Sequence, residues 1–208
     1  MKKQVISPDA SYTFGDYFKL NAEIEDVLSY FGYSYTKANL NLPSTTRTLE
    51  GLDNLLARLE EGIYRVNLTS EMARREVLIA PILLQVAHYA DIKVKIEYWL
   101  DVSHQLKGAL DYLLPSSQSF LVVEAKNADL TKGFTQLAVE LIALDKAEES
   151  DAKEYLYGAV TTGDIWRFGE LNRKEKIITE NTALFTILSD TEEVVRILVG
   201  ILEKKNEN

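Results

Sequence analysis

The stretch 108–126 constrains the fold of this 208-residue chain more than any other. Two apolar runs, 108–114 and 120–126, flank a short polar turn, Pro115-Ser116-Ser117, so together they read as a β-hairpin. Helical spacing follows over 131–148, where Phe134, Leu137, Leu141 and Leu144 form a stripe. The next apolar run, 154–161, reads as another strand. A helix between two strands is the long connection that parallel pairing needs. A hairpin followed by such a crossover predicts an α/β fold: a mixed sheet flanked by helices.

The remaining segments fit around that unit. Residues 13–33 read as one helix carrying Phe14, Tyr17, Phe18, Leu20, Ile24, Val27, Leu28 and Phe31, with Gly32 as its stop. Residues 33–46 read as loop, with Asn39, Asn41, Pro43 and Ser44. A second helix is expected over 49–61. A third runs over 69–89, capped by Thr69 or Ser70 and kinked at Pro81. Ile92, Val94, Ile96 and Tyr98 alternate with Lys93, Lys95 and Glu97, the pattern of a half-buried strand. Gly163-Asp164 turns the 154–161 strand into another at 165–171. A last strand at 184–188 and an amphipathic helix at 192–204 complete the chain, whose end is expected to fray. The expected division is an N-terminal helical extension, 1–68, packed on a core, 69–208. No internal repeat or linker interrupts it.

Composition narrows the chemistry. There are no cysteines, which excludes disulfides, thiolate metal sites and cysteine nucleophiles and suits a reducing cytoplasm. The N-terminal residues lack the apolar core of a signal peptide, and no apolar run is long enough to span a bilayer. A cytoplasmic setting without a membrane partner is expected. The net charge of −9 opposes a nucleic-acid ligand, although a metal bound at clustered carboxylates would offset part of it. Lys93 and Lys95, and Arg173, Lys174 and Lys176, either line a groove or are solvated surface charge. His88 and His104 have no second histidine at ligand spacing and read as structural.

Within the hairpin, Asp111 lies on the first strand and Glu124 and Lys126 on the second. Strand side chains alternate, so Glu124 and Lys126 share a face. Two carboxylates suit a hard divalent cation such as Mg²⁺. A lysine beside them can orient a water or steady developing negative charge. This is the chemistry of phosphodiester hydrolysis. The spacing alone is weak, because acid-x-Lys recurs at Asp91, Asp151 and Glu203. Only Glu124 ends an apolar strand paired with a second acid-bearing strand. A plain ion pair at a sheet edge is the structural alternative.

Several motifs occur in order. They are Glu71-Met72-Ala73-Arg74-Arg75-Glu76-Val77-Leu78-Ile79-Ala80-Pro81, then Glu97, Gly108-Ala109-Leu110-Asp111-Tyr112, Glu124-Ala125-Lys126, Gln136, and Thr161-Thr162-Gly163-Asp164-Ile165-Trp166-Arg167-Phe168. This ordered set resembles the PD-(D/E)xK nuclease superfamily, and within it the N-terminal nuclease domain of type I restriction enzyme R subunits and stand-alone relatives. The likeness covers about 71–171. It implies a restriction-endonuclease-like fold and a Mg²⁺-dependent DNA endonuclease, with Mn²⁺ as a possible substitute. Asp111 and Glu124 would hold the metal, the Ala125 backbone carbonyl would join them, and Glu71 would aid it or its water shell. Lys126 would act on the attacking water or the phosphate, and Gln136 would contact Lys126 or the phosphate backbone.

Partners implied are DNA, a second copy of the chain and a separate motor or specificity subunit, since no Gly-x-x-x-x-Gly-Lys-Ser/Thr motif is present. The final helix could supply a dimer interface or cover the sheet. A catalytically silent nuclease-fold DNA-binding or accessory protein is the alternative function. Glu71 could also simply pair with Arg75 one turn on. The aromatics before residue 36 (Tyr12, Phe14, Tyr17, Phe18, Tyr30, Phe31, Tyr33 and Tyr35) read as core or a docking face rather than a base-stacking platform.

Overall fold

The computed structural model describes residues 5–117, 119–126, 129–148 and 153–203. Its strands are β1 (Ser34–Ala38), β2 (Lys95–Ser103), β3 (Leu106–Pro115), β4 (Phe120–Ala125), β5 (Tyr155–Thr161), β6 (Ile165–Asn172), β7 (Ile177–Asn181) and β8 (Phe185–Thr186). Its helices are α1 (Phe14–Lys19), α2 (Ile24–Tyr30), α3 (Leu52–Arg65), α4 (Glu71–Arg74), α5 (Ala80–Ala90), α6 (Leu130–Ala147) and α7 (Thr191–Leu202). A π-helical turn, Arg75–Ile79, joins α4 to α5.

The strands form one mixed sheet in the order β1-β7-β6-β5-β4-β3-β2, with β8 paired to β6. The β3–β4 hairpin is antiparallel, and α6 carries the chain across to β5, which runs parallel to β4. The expected hairpin, crossover and mixed α/β sheet are therefore all present.

Helices cover both faces. On one, Phe14 and Tyr17 of α1, Val27 and Leu28 of α2 and Phe134, Leu137 and Leu141 of α6 pack over Leu113, Val122 and Leu156. On the other, α3, α5 and α7 bring Leu59, Ile82, Val86, Val194 and Leu198 against Leu114, Leu121, Val123 and Phe168. Helix α6 is enclosed by the sheet below and α1 and α2 above, and all its residues from Gly133 to Asp145 are buried. That explains a helix apolar nearly all round.

Several expectations need correction. Residues 13–33 form two short helices, because Leu20 and Glu23 adopt extended backbone between them. One apolar stripe survives the break because both pieces cover the same core. The N-terminal segment is not purely helical: 34–38, expected as loop, is an edge strand pairing in parallel with β7, which the sequence pattern also missed. At Pro81, where a kink is expected, the chain stays helical but leaves α geometry in the turn before it. Pro81 lacks an N–H for the Val77 carbonyl, and the preceding turn widens so that the Ala80 N–H bonds Arg75 O. Helix α7 is fully engaged in the core through Val194, Val195, Ile197, Leu198 and Leu202, so those residues are not free to form a dimer interface. The helix ends at Leu202, with Glu203 extended, short of the expected Lys204. Lys204 itself and the frayed end beyond it lie outside the described residues, as does the recurrence at Asp151 and most of that at Glu203. Among the described residues no helix is long and apolar enough to cross a membrane.

Candidate active site

The hairpin brings the two acids together. The last β3–β4 pair is Tyr112–Val123, and Asp111 and Glu124 are the next residues on each strand. Alternation breaks at this point: Leu110 and Leu113 face the α6 side, whereas Tyr112 and Leu114 face the other. On the neighbouring strand, Glu97 lies between the pairs Ile96–Tyr112 and Tyr98–Leu110 and adopts a φ of +50°. A left-handed glutamate inside a strand is unusual, and it faces the same irregularity.

The polar contacts form a connected set. The Ala125 N–H donates to Asp111 Oδ2 at 2.8 Å. Lys126 Nζ is hydrogen-bonded and ion-paired to Glu124 Oε1. Gln136 Nε2 donates to the same oxygen at 2.6 Å and to Glu140 Oε1 at 2.9 Å. Arg75 Nη1 lies 3.6 Å from Asp111 Oδ1, and Arg75 Nη2 donates to Glu97 Oε1 at 2.6 Å. Arg75 is thus spent on Glu97 and Asp111, and Glu71 forms no ion pair with it, contrary to the helix-pair alternative. Glu71 instead lines a cleft of about 650 Å³ shared with Asp111, Glu124, Lys126 and Gln136. Gln136 reaches Glu124 and Glu140 rather than Lys126, the first of the two contacts the resemblance implied; the second is to a phosphate backbone.

Two glycines shape the site. Gly108 has a φ of +145°, and a Cβ there would lie 2.9 Å from the Phe14 ring, so α1 can settle over β3 only on a bare backbone. A Cβ on Gly133 would lie 3.0 Å from Lys126 Cγ and 2.7 Å from Val160 Cγ2. The first turn of α6 therefore leaves room for the lysine stem. Asp129 caps that helix, accepting from the Lys132 N–H at 3.0 Å.

Burial sets the charges. Glu124 is 1% exposed. Burial first, and the nearby Asp111 second, push its pKa up to about 7 against the pull of Lys126. Burial also raises Asp111, although the Ala125 N–H, Arg75 and Lys126 oppose it. For Lys126, burial works against the charge but Glu124 and Asp111 outweigh it, so its pKa is raised and the amine stays protonated. Glu140, fully buried, is raised well above the ordinary carboxylate range by burial and then by Glu124.

Sequence reasoning missed Glu140, Arg75 and the cleft-lining Phe18 and Trp99. Glu140 did carry a signal: it is a lone acid inside the apolar run Leu137-Ala138-Val139-Glu140-Leu141-Ile142, one turn from Gln136. Of the basic groups, Arg173 and Lys176 bind Asp145 at 2.7 and 2.6 Å, serving the C-terminal end of α6. Lys95 lies over the Tyr98 ring.

Glu124 Oε2 is buried and receives no N–H hydrogen bond, although the Glu124 carboxylate also meets the Glu140 side chain. Two carboxylates with an oxygen that no N–H occupies fit a Mg²⁺ that keeps several of its waters. Among the described residues no group of three or more His, Cys, Asp and Glu side chains is placed to hold a metal, so Glu71 does not complete such a set. No protein-family model matches the chain, and no curated protein matches its sequence.

Proposed function

We propose that this chain is a cytoplasmic, Mg²⁺-dependent DNA endonuclease with a restriction-endonuclease-like core. The observation that carries the reading is the convergence of Asp111, Glu124 and Lys126 at the end of a buried hairpin, open to a cleft that Glu71 also lines. A bound Mg²⁺ or Mn²⁺ would supply Lewis-acid charge at a phosphoryl oxygen and a more acidic water. Asp111 and Glu124 would hold it, with the Ala125 carbonyl as a further ligand and Glu71 reaching its water shell. Lys126, kept protonated by its carboxylate neighbours, is suited to stabilising charge on the phosphate rather than to accepting a proton. Gln136 fixes the Glu124 carboxylate by donating to it. One such site cuts one strand, so a double-strand break requires a second copy or a second binding event. A separate motor or specificity subunit is a further partner under this reading.

The net charge of −9, and the lack of a three-ligand group among the described residues, favour one other reading, a silent nuclease-fold accessory protein that binds DNA without turnover. Nicking of supercoiled plasmid in Mg²⁺ and Mn²⁺ separates the two. The enzyme reading expects nicking by the wild type and none by Asp111→Asn. Equal nicking by both would remove the site from the reaction, and no nicking by either would favour the silent protein.

A further inference from the structure

The cleft has a second chemical character besides its acids. Trp99, on edge strand β2, lines it and is 58% exposed. Its cross-strand neighbour is Ala109, whose methyl covers little of an indole. Among the described residues no aromatic ring stacks on Trp99 and no cation sits over it. Phe18, also lining the cleft, is by contrast engaged: Lys126 Nζ lies 5.1 Å from its ring centre. One aromatic face is therefore committed to the reactive lysine and the other is free.

Charge decides what that free face is for. The cleft's ionisable lining is Glu71, Asp111, Glu124 and Asp129 against Lys19 and Lys126. Lys19 already pairs with Asp16 at 3.7 Å. Such a lining offers little to a run of phosphates, and phosphate neutralisation normally dominates duplex binding. A duplex also hides its base faces inside the stack and exposes only edges. An unpaired strand exposes whole π-faces, and an aromatic side chain takes them with little regard to sequence.

We propose that Trp99 is a stacking platform for an unpaired base next to the scissile phosphate, and that the cleft takes single-stranded nucleic acid (a free strand, flap or frayed end) in preference to a duplex. The inference rests on the reading of this cleft as a phosphodiesterase site, but its binding step can be tested without turnover.

The chain contains two tryptophans, and Trp166 is fully buried, so a ligand-induced change in indole emission reports on Trp99. The full chain, in Ca²⁺, is titrated with oligothymidylate, oligouridylate and a duplex of matched length. Emission is read beside the anisotropy of labelled oligonucleotides. The expected result is quenching by single strands and weaker binding of duplex. Trp99→Ala loses roughly 10-fold or more in single-strand affinity, the value of one stacked base. Trp99→Phe keeps most of the affinity and loses the quenching. The two single strands show whether DNA or RNA is preferred. Equal duplex affinity, wild-type binding by Trp99→Ala, or no single-strand binding overturns the proposal. Single-strand binding through Trp99 without hydrolysis in Mg²⁺ or Mn²⁺ sinks the nuclease reading alone. Duplex hydrolysis unaffected by Trp99→Ala sinks this inference alone.

Discussion

Replacing Glu140 by glutamine should stabilise the protein, and more at alkaline than at acid pH. Glu140 is fully buried; Oε1 accepts from Gln136 at 2.9 Å, Oε2 receives no N–H, and the side chain also hydrogen-bonds that of Glu124. The charges that act on it are Glu124 and Asp111, which repel it, and Lys126, which is already paired with Glu124. Its pKa is therefore raised, by burial foremost, from an ordinary value of 4.5. Holding a proton on such a group costs about 1.4 kcal/mol for each pH unit above that ordinary value. The cost therefore grows with pH from nil near 4.5 up to the raised folded value. The folded chain keeps a proton that the unfolded chain has lost, so wild-type stability falls as pH rises from 4.5 toward the raised folded value. Glu140→Gln keeps the shape and the acceptor for Gln136 without this slope. Allowing for imperfect hydrogen bonding, the neutral isostere is expected to gain on the order of 1 kcal/mol or more near pH 8 and close to nil near pH 5. Urea unfolding at both pH values, free of divalent metal, reads it, provided the m-values agree. Equal destabilisation at both would refute the reasoning, since it would mean an ionised Glu140 held by compensating charge.

Three further outcomes follow from the geometry. Gly133→Ala, which in an open helix would gain up to about 1 kcal/mol, should instead lose stability and cut any metal-dependent cleavage about 10-fold or more through displacement of Lys126; thermal melts and single-turnover rates check it. Gly108→Ala should cost about 1–3 kcal/mol, because it adds backbone strain and a clash with Phe14, and chemical denaturation will show whether it does. Mn²⁺ affinity measured by calorimetry should rise with pH up to about 7, since Asp111 and Glu124 must lose protons raised by burial before they bind a cation; a flat profile from pH 5 upward would mean that neither carboxylate holds the metal.

What could be read from the sequence follows the range of the interactions. The β3–β4 hairpin and α6 were legible because period-two and helical patterns are local, and their residues are buried on defined faces. Strands β1 and β7 were not. They are short, β1 is mostly exposed and carries polar residues such as Thr36 and Lys37, β7 carries Thr179, Glu180 and Asn181, and their mutual pairing spans 143 residues from Ser34 to Ile177. The break in the first predicted helix was hidden because both halves keep the same buried face. At the site, the spacing of Glu124 and Lys126 and the hairpin register with Asp111 were readable. Partner choice was not. Arg75 turning to Glu97 and Asp111 rather than Glu71, and Gln136 bridging Glu124 to Glu140, depend on where a π-helical turn and a buried helix sit against the sheet.

The central claim is that Lys126 serves the reacting phosphate rather than merely pairing with Glu124. The decisive measurement compares wild type and Lys126→Met for Mn²⁺ binding and for single-turnover cleavage of the same DNA. Without the lysine, Gln136 still holds Glu124 Oε1 and the Glu124 pKa rises further, so the comparison is made at about pH 8.5 or above; there the account expects Mn²⁺ binding to persist while cleavage falls about 100-fold or more. Cleavage at the wild-type rate with binding intact would contradict it and reduce the Glu124–Lys126 pair to a structural contact.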